Sequence, residues 1–315
     1  MAGTLAAGAA ATDETVAALR AAGLDPGDTA VVVARALEED FRYGPDVTSA
    51  ATAGAGAIAT GEVVARQAGV IAGLPVALLV LDLLAGGPGG STGGLAVAGL
   101  TATALRADGD RVGPGDAVLR VSGPAPAVLG AERTMLNFLT HLSGIASATR
   151  QWVDAVAGTG AAIRDTRKTT PGLRLLEKYA VRCGGGVNHR LGLGDAALVK
   201  DNHVAAAGGI ARAIAAVREH APQVPLEVEC DTLAEVRESL AAGARFILLD
   251  NMSVDELRPA VAEARRYPGV RLEASGGLRL PGARAVALTG VDYLAVGALT
   301  HSSPALDLGL DFTES

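Results

Sequence analysis

The chain has 315 residues, a formal net charge of -7, 49% hydrophobic residues and few aromatic ones. This length suffices to bury one large core, or a large and a small one, and the acidic balance argues against a non-specific nucleic-acid binder. Two cysteines without ligand spacing, no basic leader and no uninterrupted apolar run of about twenty residues predict a cytoplasmic protein without a membrane segment.

The N-terminal part of the sequence predicts a tail followed by a small mixed domain. Residues 1–25 are rich in Ala and Gly and predict a flexible tail, and the first helix is expected in "LDPGDTAVVVARALEED", capped by Asp28 or Thr29. From 58 to 123, short alternating apolar runs separated by turns predict a β-rich domain with helices. Its glycine-rich stretch 85–94 predicts a flexible loop.

The C-terminal part predicts a parallel sheet. After one long helix or a helix pair in "ERTMLNFLTHLSGIASATRQWVDAV", short apolar runs alternate with amphipathic helical segments. Such alternation is typical of β/α units with right-handed crossovers, and the number of units favours a closed or nearly closed barrel. The predicted strands are "AAIRD" (161–165), "AALVKD" (196–201), "PLEVEC" (225–230), "RFILLD" (245–250), "VRLEASG" (270–276) and "DYLAVG" (292–297).

Polar groups end most of these predicted strands, where a β/α barrel builds its active site. Any one of them is as readily a solvated strand end, but the set as a whole favours a site. Glycine turns after the last two strands, Ser275–Gly277 and Val296–Ala298, are where barrels often bind phosphate. The charged groups at the strand ends are Asp165 with Arg167 and Lys168, Lys200 with Asp201, Glu229, Asp250 and Glu273.

Two carboxylates at neighbouring strand ends, Glu229 and Asp250, offer the oxygen ligands that suit Mg²⁺ shared with a substrate phosphate. Without a phosphate ligand they are equally able to pair with Lys200 or Arg167. His189 fits either a general acid or base or a buried structural histidine. Lys178, next to Glu177 in a helix of ordinary composition, is expected on the surface.

Positive charge is concentrated in one window of this acidic chain. From Arg164 to Lys200 there are eight Arg or Lys residues and three acids, and all three lysines of the protein lie there. Arginine binds planar carboxylates through two points, whereas lysine is a compact charge that reaches single phosphate oxygens. The window therefore predicts a pocket for a small anion that needs both residue types.

Several long motifs give the chain a family resemblance. "ERTMLNFLTHLSGIAS", "DTRKTTPGLRLLEKYAVRCGGGVNHRLGLGDAALVKDNH", "LEVEC", "ILLDN", "EASGGL" and "DYLAVGALTHSSPALDLGLDF" occur in this order. Together they resemble the quinolinate phosphoribosyltransferases. The resemblance implies an α/β protein with an N-terminal α/β sandwich (26–135, joined by the tail 303–315) and an incomplete TIM-like β/α barrel (136–302).

The resemblance also implies an activity and a set of contacts. Quinolinate and phosphoribosyl pyrophosphate would give nicotinate mononucleotide, CO₂ and pyrophosphate, with Mg²⁺, in a homodimer or larger assembly. Arg133 would reach the partner's site and hold the quinolinate carboxylates with Arg167, His189 and Arg190. Lys168 and Lys200 would meet pyrophosphate or a carboxylate, Glu229 and Asp250 the ribose hydroxyls and Mg²⁺, and the turns Ser275, Gly276, Gly277 and Val296, Gly297, Ala298 the 5-phosphate. Glu273 matches the motif without an implied role.

Three rival functions remain for the same scaffold. A molybdenum-associated paralogue would lack the carboxylate-binding arginines, yet Arg133, Arg167 and Arg190 are all present. A nicotinate-specific phosphoribosyltransferase binds a monocarboxylate and needs fewer of them. A catalytically silent ligand-binding regulator would bind without turnover, and the charged set at the strand ends argues against it.

Overall fold

The computed structural model describes residues 11–54, 56–86 and 99–313, which divide into two compact units. The first unit contains the described parts of Met1–Ala148, Pro171–Gly184 and Ser303–Ser315. The second contains Thr149–Thr170 and Gly185–Ser302. Each unit has its own sheet and its own buried apolar residues.

The first unit is built on an antiparallel sheet whose strand order is β12-β1-β5-β3. The C-terminal strand β12 pairs with β1, so the end of the chain completes this sheet. Helix α4 is apolar on nearly every side and is buried accordingly. The elements are α1 (Asp13–Ala21), α2 (Pro26–Phe41), α3 (Val47–Thr52), β1 (Ile58–Ala65), β2 (Gly69–Val70), α4 (Leu74–Gly86), β3 (Thr101–Ala104), β4 (Arg111–Val112), β5 (Ala117–Pro124), α5 (Ala125–Ala155), α6 (Arg174–Cys183) and β12 (Leu308–Phe312).

The prediction of a flexible tail over 1–25 is wrong for its described part. Helix α1 is capped by Thr12, whose hydroxyl accepts the N–H of Thr15, and Leu19 is fully buried. A few apolar residues at helical spacing within the alanine-rich run are enough to bury one face. Helix α2 begins at Pro26 with Asp25 as its cap, three residues before the predicted start, because proline is favoured in the first turn. Residues 1–10, and 87–94 of the predicted loop, lie outside the described residues.

The predicted domain boundary at 135/136 falls inside α5, which is one helix of 31 residues and not a helix pair. Its middle belongs to the first unit: the Ser143 hydroxyl accepts the N–H of Ala72 at 3.0 Å. Helix α6 also belongs there, because the Tyr179 hydroxyl donates to Asp108, which itself accepts two backbone N–H groups at the start of α4. These contacts across long sequence separations leave no local signal for a boundary.

The second unit contains a six-stranded, all-parallel sheet with the order β6-β11-β10-β9-β8-β7. All six predicted strands are confirmed, as are the three predicted helices that lie between the later ones. Helices α9 and α10 begin with capping boxes, Thr232 with Glu235 and Ser253 with Glu256. The elements are β6 (Ala162–Arg164), β7 (Ala197–Val199), α7 (Asp201–Ala207), α8 (Ile210–His220), β8 (Leu226–Cys230), α9 (Leu233–Ala241), β9 (Phe246–Asp250), α10 (Val254–Ala264), β10 (Arg271–Ser275), a 3₁₀ turn (Leu280–Gly282), α11 (Ala283–Ala287), β11 (Tyr293–Ala295) and α12 (Ala298–His301).

The barrel is incomplete, with fewer than eight strands. Strands β6 and β7 are its two edges, and within 149–170 and 185–302 no ladder joins them. Val187 forms a single parallel bridge to Arg164, which lays the segment before His189 beside β6. The α/β class with a sandwich and an incomplete barrel is therefore confirmed. Among the described residues, no helix is both long and apolar enough to cross a membrane.

Candidate active site

A cavity of about 360 Å³ opens at the carboxyl ends of the strands in the second unit. Because successive side chains of a strand point to opposite faces, alternate residues of each strand reach it. Glu229 and Asp250 do so from β8 and β9, and Glu273 and Ser275 from β10. The lining residues are Thr166, Arg167, Lys168, His189, Arg190, Leu198, Lys200, Glu229, Leu248, Asp250, Glu273, Ser275 and Ala295.

Four cations line this one cavity: Arg167, Lys168, Arg190 and Lys200. Burial, and next the positive charge of Arg167, lower the pKa of Arg190. The Nη1 of Arg190 donates to the carbonyl of Ala196 at 2.9 Å, whereas its buried Nε has no hydrogen-bond partner among the residues that the structure describes. Two guanidinium groups in an enclosed space repel each other, and an anion placed between them removes that cost.

The two carboxylates at the mouth, Glu229 and Asp250, each have a hydrogen-bond partner in the protein. Lys200 Nζ donates to Glu229 Oε2, and Asp250 accepts the side-chain N–H of Asn251 at 2.6 Å. The pairing of Glu229 with Lys200 is one of the two outcomes expected from the sequence. Both carboxylates still line the cavity, so their oxygens suit a divalent ion that takes its other ligands from water and a substrate phosphate.

His189 is buried, with 7% of its surface exposed, and both ring nitrogens face protein groups. Its Nδ1 accepts the backbone N–H of Arg190 at 2.7 Å, and its Nε2 lies 3.0 Å from Glu227 Oε2 and 3.5 Å from Glu273 Oε1. The backbone of His189 is fixed as well, because its N–H donates to the buried Asp165 at 2.7 Å. These contacts favour the structural interpretation of His189 over a general acid or base.

Sequence reasoning missed two charged residues beneath the cavity, Glu227 and Arg164. The Arg164 guanidinium lies 2.6 Å from Glu273 Oε2 and over the rings of Phe246 and Tyr293, at 4.8 and 5.1 Å from their centroids. Only strand ends were considered from the sequence. The alternation in "LEVEC" was a usable signal, since it places Glu227 on the same face as Glu229.

Burial is the main cause that raises the pKa of both Glu227 and Glu273 to about 7, and each carboxylate also feels the other side chains of this group. For Glu273 the second cause is the charge of Glu227, and Arg164 opposes it. A carboxyl with a raised folded-state pKa stabilises the fold fully below its unfolded value, and the contribution is lost as pH rises through the folded value.

We expect Glu273→Gln to remove this pH dependence. Between about pH 5 and 8, the free energy of unfolding of the wild type should fall by about 2 kcal/mol relative to that of the variant. The reason is that the glutamate ionises more readily in the unfolded than in the folded protein, whereas the glutamine amide does not ionise. Trp152, the single tryptophan, belongs to the second unit and reports its unfolding in urea by fluorescence. Glu219→Gln, at an exposed position of α8, is the control and should show the same pH dependence of stability as the wild type. If Glu273→Gln also shows the pH dependence of the wild type, the raised pKa of Glu273 is contradicted.

The two glycine turns expected to bind phosphate lie beside the cavity. Gly276 and Gly277 have positive φ angles of 86° and 60°, and a Cβ at Gly276 would come within 2.2 Å of Asn251 Oδ1. A Cβ at Gly297 would lie 3.1 Å from Lys168 Cδ. The second turn, Val296–Ala298, therefore runs directly past a cavity lysine, and the first allows close approach to its backbone.

One arginine and one lysine, Arg133 and Lys178, do not lie at the cavity. Arg133 lies on an exposed part of α5 in the first unit and is not among the residues lining the cavity. Lys178 is fully buried on α6, so its predicted surface position is wrong. The reason is that residues 176–181 of this helix are all buried, the charged ones included.

Comparison with known proteins identifies the family of the chain. Residues 46–143 match the family model "Quinolinate phosphoribosyl transferase, N-terminal domain", and residues 145–311 match the C-terminal domain model of the same family. The chain belongs to the quinolinate phosphoribosyl transferase family. The resemblance read from the sequence is thereby confirmed.

Relatives with established names agree with this membership. The chain is 55% identical over 280 residues to the nicotinate-nucleotide pyrophosphorylase [carboxylating] of Mycobacterium leprae, covering 89% of this chain and 95% of that one. It is 42% identical over 207 residues to the human protein of that name, covering 64% and 70%. The crystal structure of NadC from Streptococcus pyogenes is 39% identical with a TM-score of 0.82, covering 92% of this chain and 99% of that one.

Proposed function

We propose that this protein transfers the phosphoribosyl group of phosphoribosyl pyrophosphate to the ring nitrogen of quinolinate, giving nicotinate mononucleotide, CO₂ and pyrophosphate. The observation that carries the proposal is the cavity in which Arg167, Arg190, Lys168 and Lys200 lie with Glu229 and Asp250. Cations of two kinds suit a substrate pair with planar carboxylates and phosphates. The family membership supports the same reaction.

In this proposal the arginines bind quinolinate. Arg167 and Arg190 hold its two neighbouring carboxylates, and the buried Arg190 Nε supplies a donor without a partner in the described parts of the chain. Arg133 completes the clamp from the partner subunit of a homodimer. His189 contributes by orientation, since its ring nitrogens face Arg190 N–H and the two glutamates.

The strand ends and turns bind phosphoribosyl pyrophosphate. The turns Ser275–Gly277 and Val296–Ala298 hold the 5-phosphate, and Glu229 and Asp250 hold the ribose hydroxyls. In the second turn the donors are the N–H groups after Val296, because the Val296 N–H donates to the carbonyl of Arg164 at 2.9 Å. The same two carboxylates would bind Mg²⁺, which screens the charge of the pyrophosphate when bound.

The chemistry needs positioning more than a nucleophilic side chain. The quinolinate nitrogen attacks C1 of ribose as the C1–O bond to pyrophosphate breaks, and Lys168 and Lys200 stabilise the negative charge on the leaving group. Next, the bond from C2 to its carboxylate breaks, and the electron pair stays at C2, beside the now cationic ring nitrogen, until a proton replaces CO₂. Neither cysteine takes part, and burial raises the pKa of each thiol to about 12.

The test is release of CO₂ from carboxyl-labelled quinolinate by the purified protein. Release that requires both phosphoribosyl pyrophosphate and Mg²⁺ is the expected result. A folded protein that binds quinolinate without releasing CO₂ would instead be the paralogue or the silent regulator.

We expect Asp250→Asn to weaken the binding of Mg²⁺, because an amide oxygen is a poorer ligand for a hard cation than a carboxylate. The Mg²⁺ concentration for half-maximal rate should rise by roughly tenfold, about 1.4 kcal/mol of binding. Asp255→Asn, on the exposed start of α10, is the matched control and should leave the titration unchanged. An unaltered titration for Asp250→Asn would remove this residue from the proposed metal site.

The cytoplasm is the compartment proposed with this function. The two cysteines are both free thiols, as is usual in a reducing compartment. Quinolinate and phosphoribosyl pyrophosphate are the proposed partners, together with a second copy of the chain.

A further inference from the structure

Two glutamates occupy the interior layer of the barrel, where branched apolar side chains usually pack. Glu227 is 4% exposed and Glu273 is completely buried. They lie on β8 and β10, on either side of β9, and each is two residues before a residue that lines the cavity, Glu229 and Ser275. Burying two acids is energetically costly, so we expect a contact within the fold that compensates for it.

The contact that compensates is made to His189. A backbone N–H can only donate, so the Nδ1 that accepts the N–H of Arg190 carries no proton. The ring proton is therefore on Nε2, which points at Glu227 Oε2 at 3.0 Å, with Glu273 Oε1 at 3.5 Å. The proton is shared with Glu227 Oε2, while Glu273 Oε1 makes no hydrogen bond to any described residue and contributes its negative charge. This arrangement fixes both the tautomer and the plane of the ring.

The ring in turn fixes the residue that follows it. The Arg190 N–H is held by Nδ1, while the His189 N–H is held by Asp165 at 2.7 Å. The two peptide groups on either side of His189 are thus each held by a hydrogen bond, and the Arg190 side chain follows them at the cavity. A tilt of the ring would change the direction of a guanidinium whose binding of a carboxylate depends on angle.

We propose that Glu227, supported by Glu273, is a positioning residue for Arg190 and acts through the His189 ring. The proposal rests on the proposed function, in which Arg190 binds a carboxylate of quinolinate. Glu273 is held in turn by Arg164 at 2.6 Å, which anchors this second carboxylate to β6. Neither glutamate touches the reacting atoms in this scheme.

A buried metal ion is the competing explanation of the same cluster, since ligand atoms of His189, Glu227 and Glu273 lie within 4.8 Å of one another. Three features oppose it. The Nε2 that would bind the ion bears the ring proton, the Arg164 guanidinium already neutralises Glu273, and all three side chains are buried. Metal ligands must be deprotonated, and a cation beside the site repels the ion.

The test separates the two substrates. Glu227→Met, which keeps the volume and removes the acceptor, should raise the KM for quinolinate about tenfold and leave the KM for phosphoribosyl pyrophosphate within about twofold. Glu227→Gln should behave nearly as wild type, because its amide oxygen still accepts from Nε2. In a His189→Ala background, Glu227→Met should change neither KM by more than about twofold. A parallel rise of both KM values, a Gln variant as impaired as Met, or an undiminished effect without His189 would overturn the proposal.

A second measurement needs neither a folded Met variant nor turnover. In ¹⁵N-histidine-labelled wild-type protein, the His189 signals, assigned by their loss in His189→Ala, should show an unprotonated Nδ1 and a protonated Nε2 between about pH 6 and 8. A proton on Nδ1, or a stoichiometric metal ion that only chelators remove, would overturn the positioning role. Absence of CO₂ release by the wild-type protein would instead refute the proposed function. The tautomer of His189 could still be measured in that case.

Discussion

Arg190→Lys will raise the KM for quinolinate by roughly 100-fold, with a smaller change in the KM for phosphoribosyl pyrophosphate. Lysine keeps the charge but replaces a planar fork by a single point, so two-point binding of a carboxylate is lost. Steady-state kinetics with each substrate varied in turn will measure the effect.

The structural role of Arg190 has to be separated from its proposed binding role. Its Nη1 holds the carbonyl of Ala196, so part of the loss could come from a shifted loop. Arg218→Lys is the matched control: this exposed arginine of the same unit donates to the carbonyls of Ala242 and Gly243 and lies away from the cavity. It should leave both KM values unchanged.

Two results would contradict the carboxylate clamp. One is unchanged kinetics for Arg190→Lys. The other is an equal loss for both substrates, which would assign the residue to the general shape of the site. A loss confined to quinolinate is the result that the clamp requires.

The strand ends were predictable because two local signals coincide there. A buried parallel strand is a short apolar run, and the first polar residue after it must lie at the carboxyl edge of the sheet. Lys200, Glu229 and Asp250 were found in this way, and the structure places all three at one cavity. The periodicity of the sequence was thus sufficient to predict the fold of the second unit and the location of its site.

What could not be predicted depends on contacts between residues distant in sequence. Glu227 looked like an ordinary alternating residue until His189, nearly forty positions earlier, was found against it at 3.0 Å. Lys178 lies in a helix that the unit buries on most sides, which its local composition does not indicate. Helix α5 passes from one unit into the other without a break, so the chain has no linker there to mark a boundary.

Arg133→Ala and Glu229→Ala subunits, each nearly inactive alone, will restore activity when combined. Arg133 belongs to the first unit, whereas Glu229 lines the cavity of the second. If Arg133 serves the partner's site, a mixed dimer contains one intact site, made from Glu229 of one subunit and Arg133 of the other. Random pairing should then recover roughly a quarter of wild-type activity, and dimers isolated with two different tags roughly half.

A matched pair decides whether such a rescue means complementation across the interface. Arg190→Ala and Glu229→Ala both damage the cavity of the second unit, so combining them leaves no intact site in any mixed dimer. This pair should stay inactive while the Arg133 pair recovers. Absence of rescue in verified mixed dimers of Arg133→Ala with Glu229→Ala would place Arg133 at the site of its own chain, or outside the site altogether. Rescue in the control pair would show that a group other than Arg133 acts across the interface. The quinolinate carboxylates would then be bound by Arg167 and Arg190 alone.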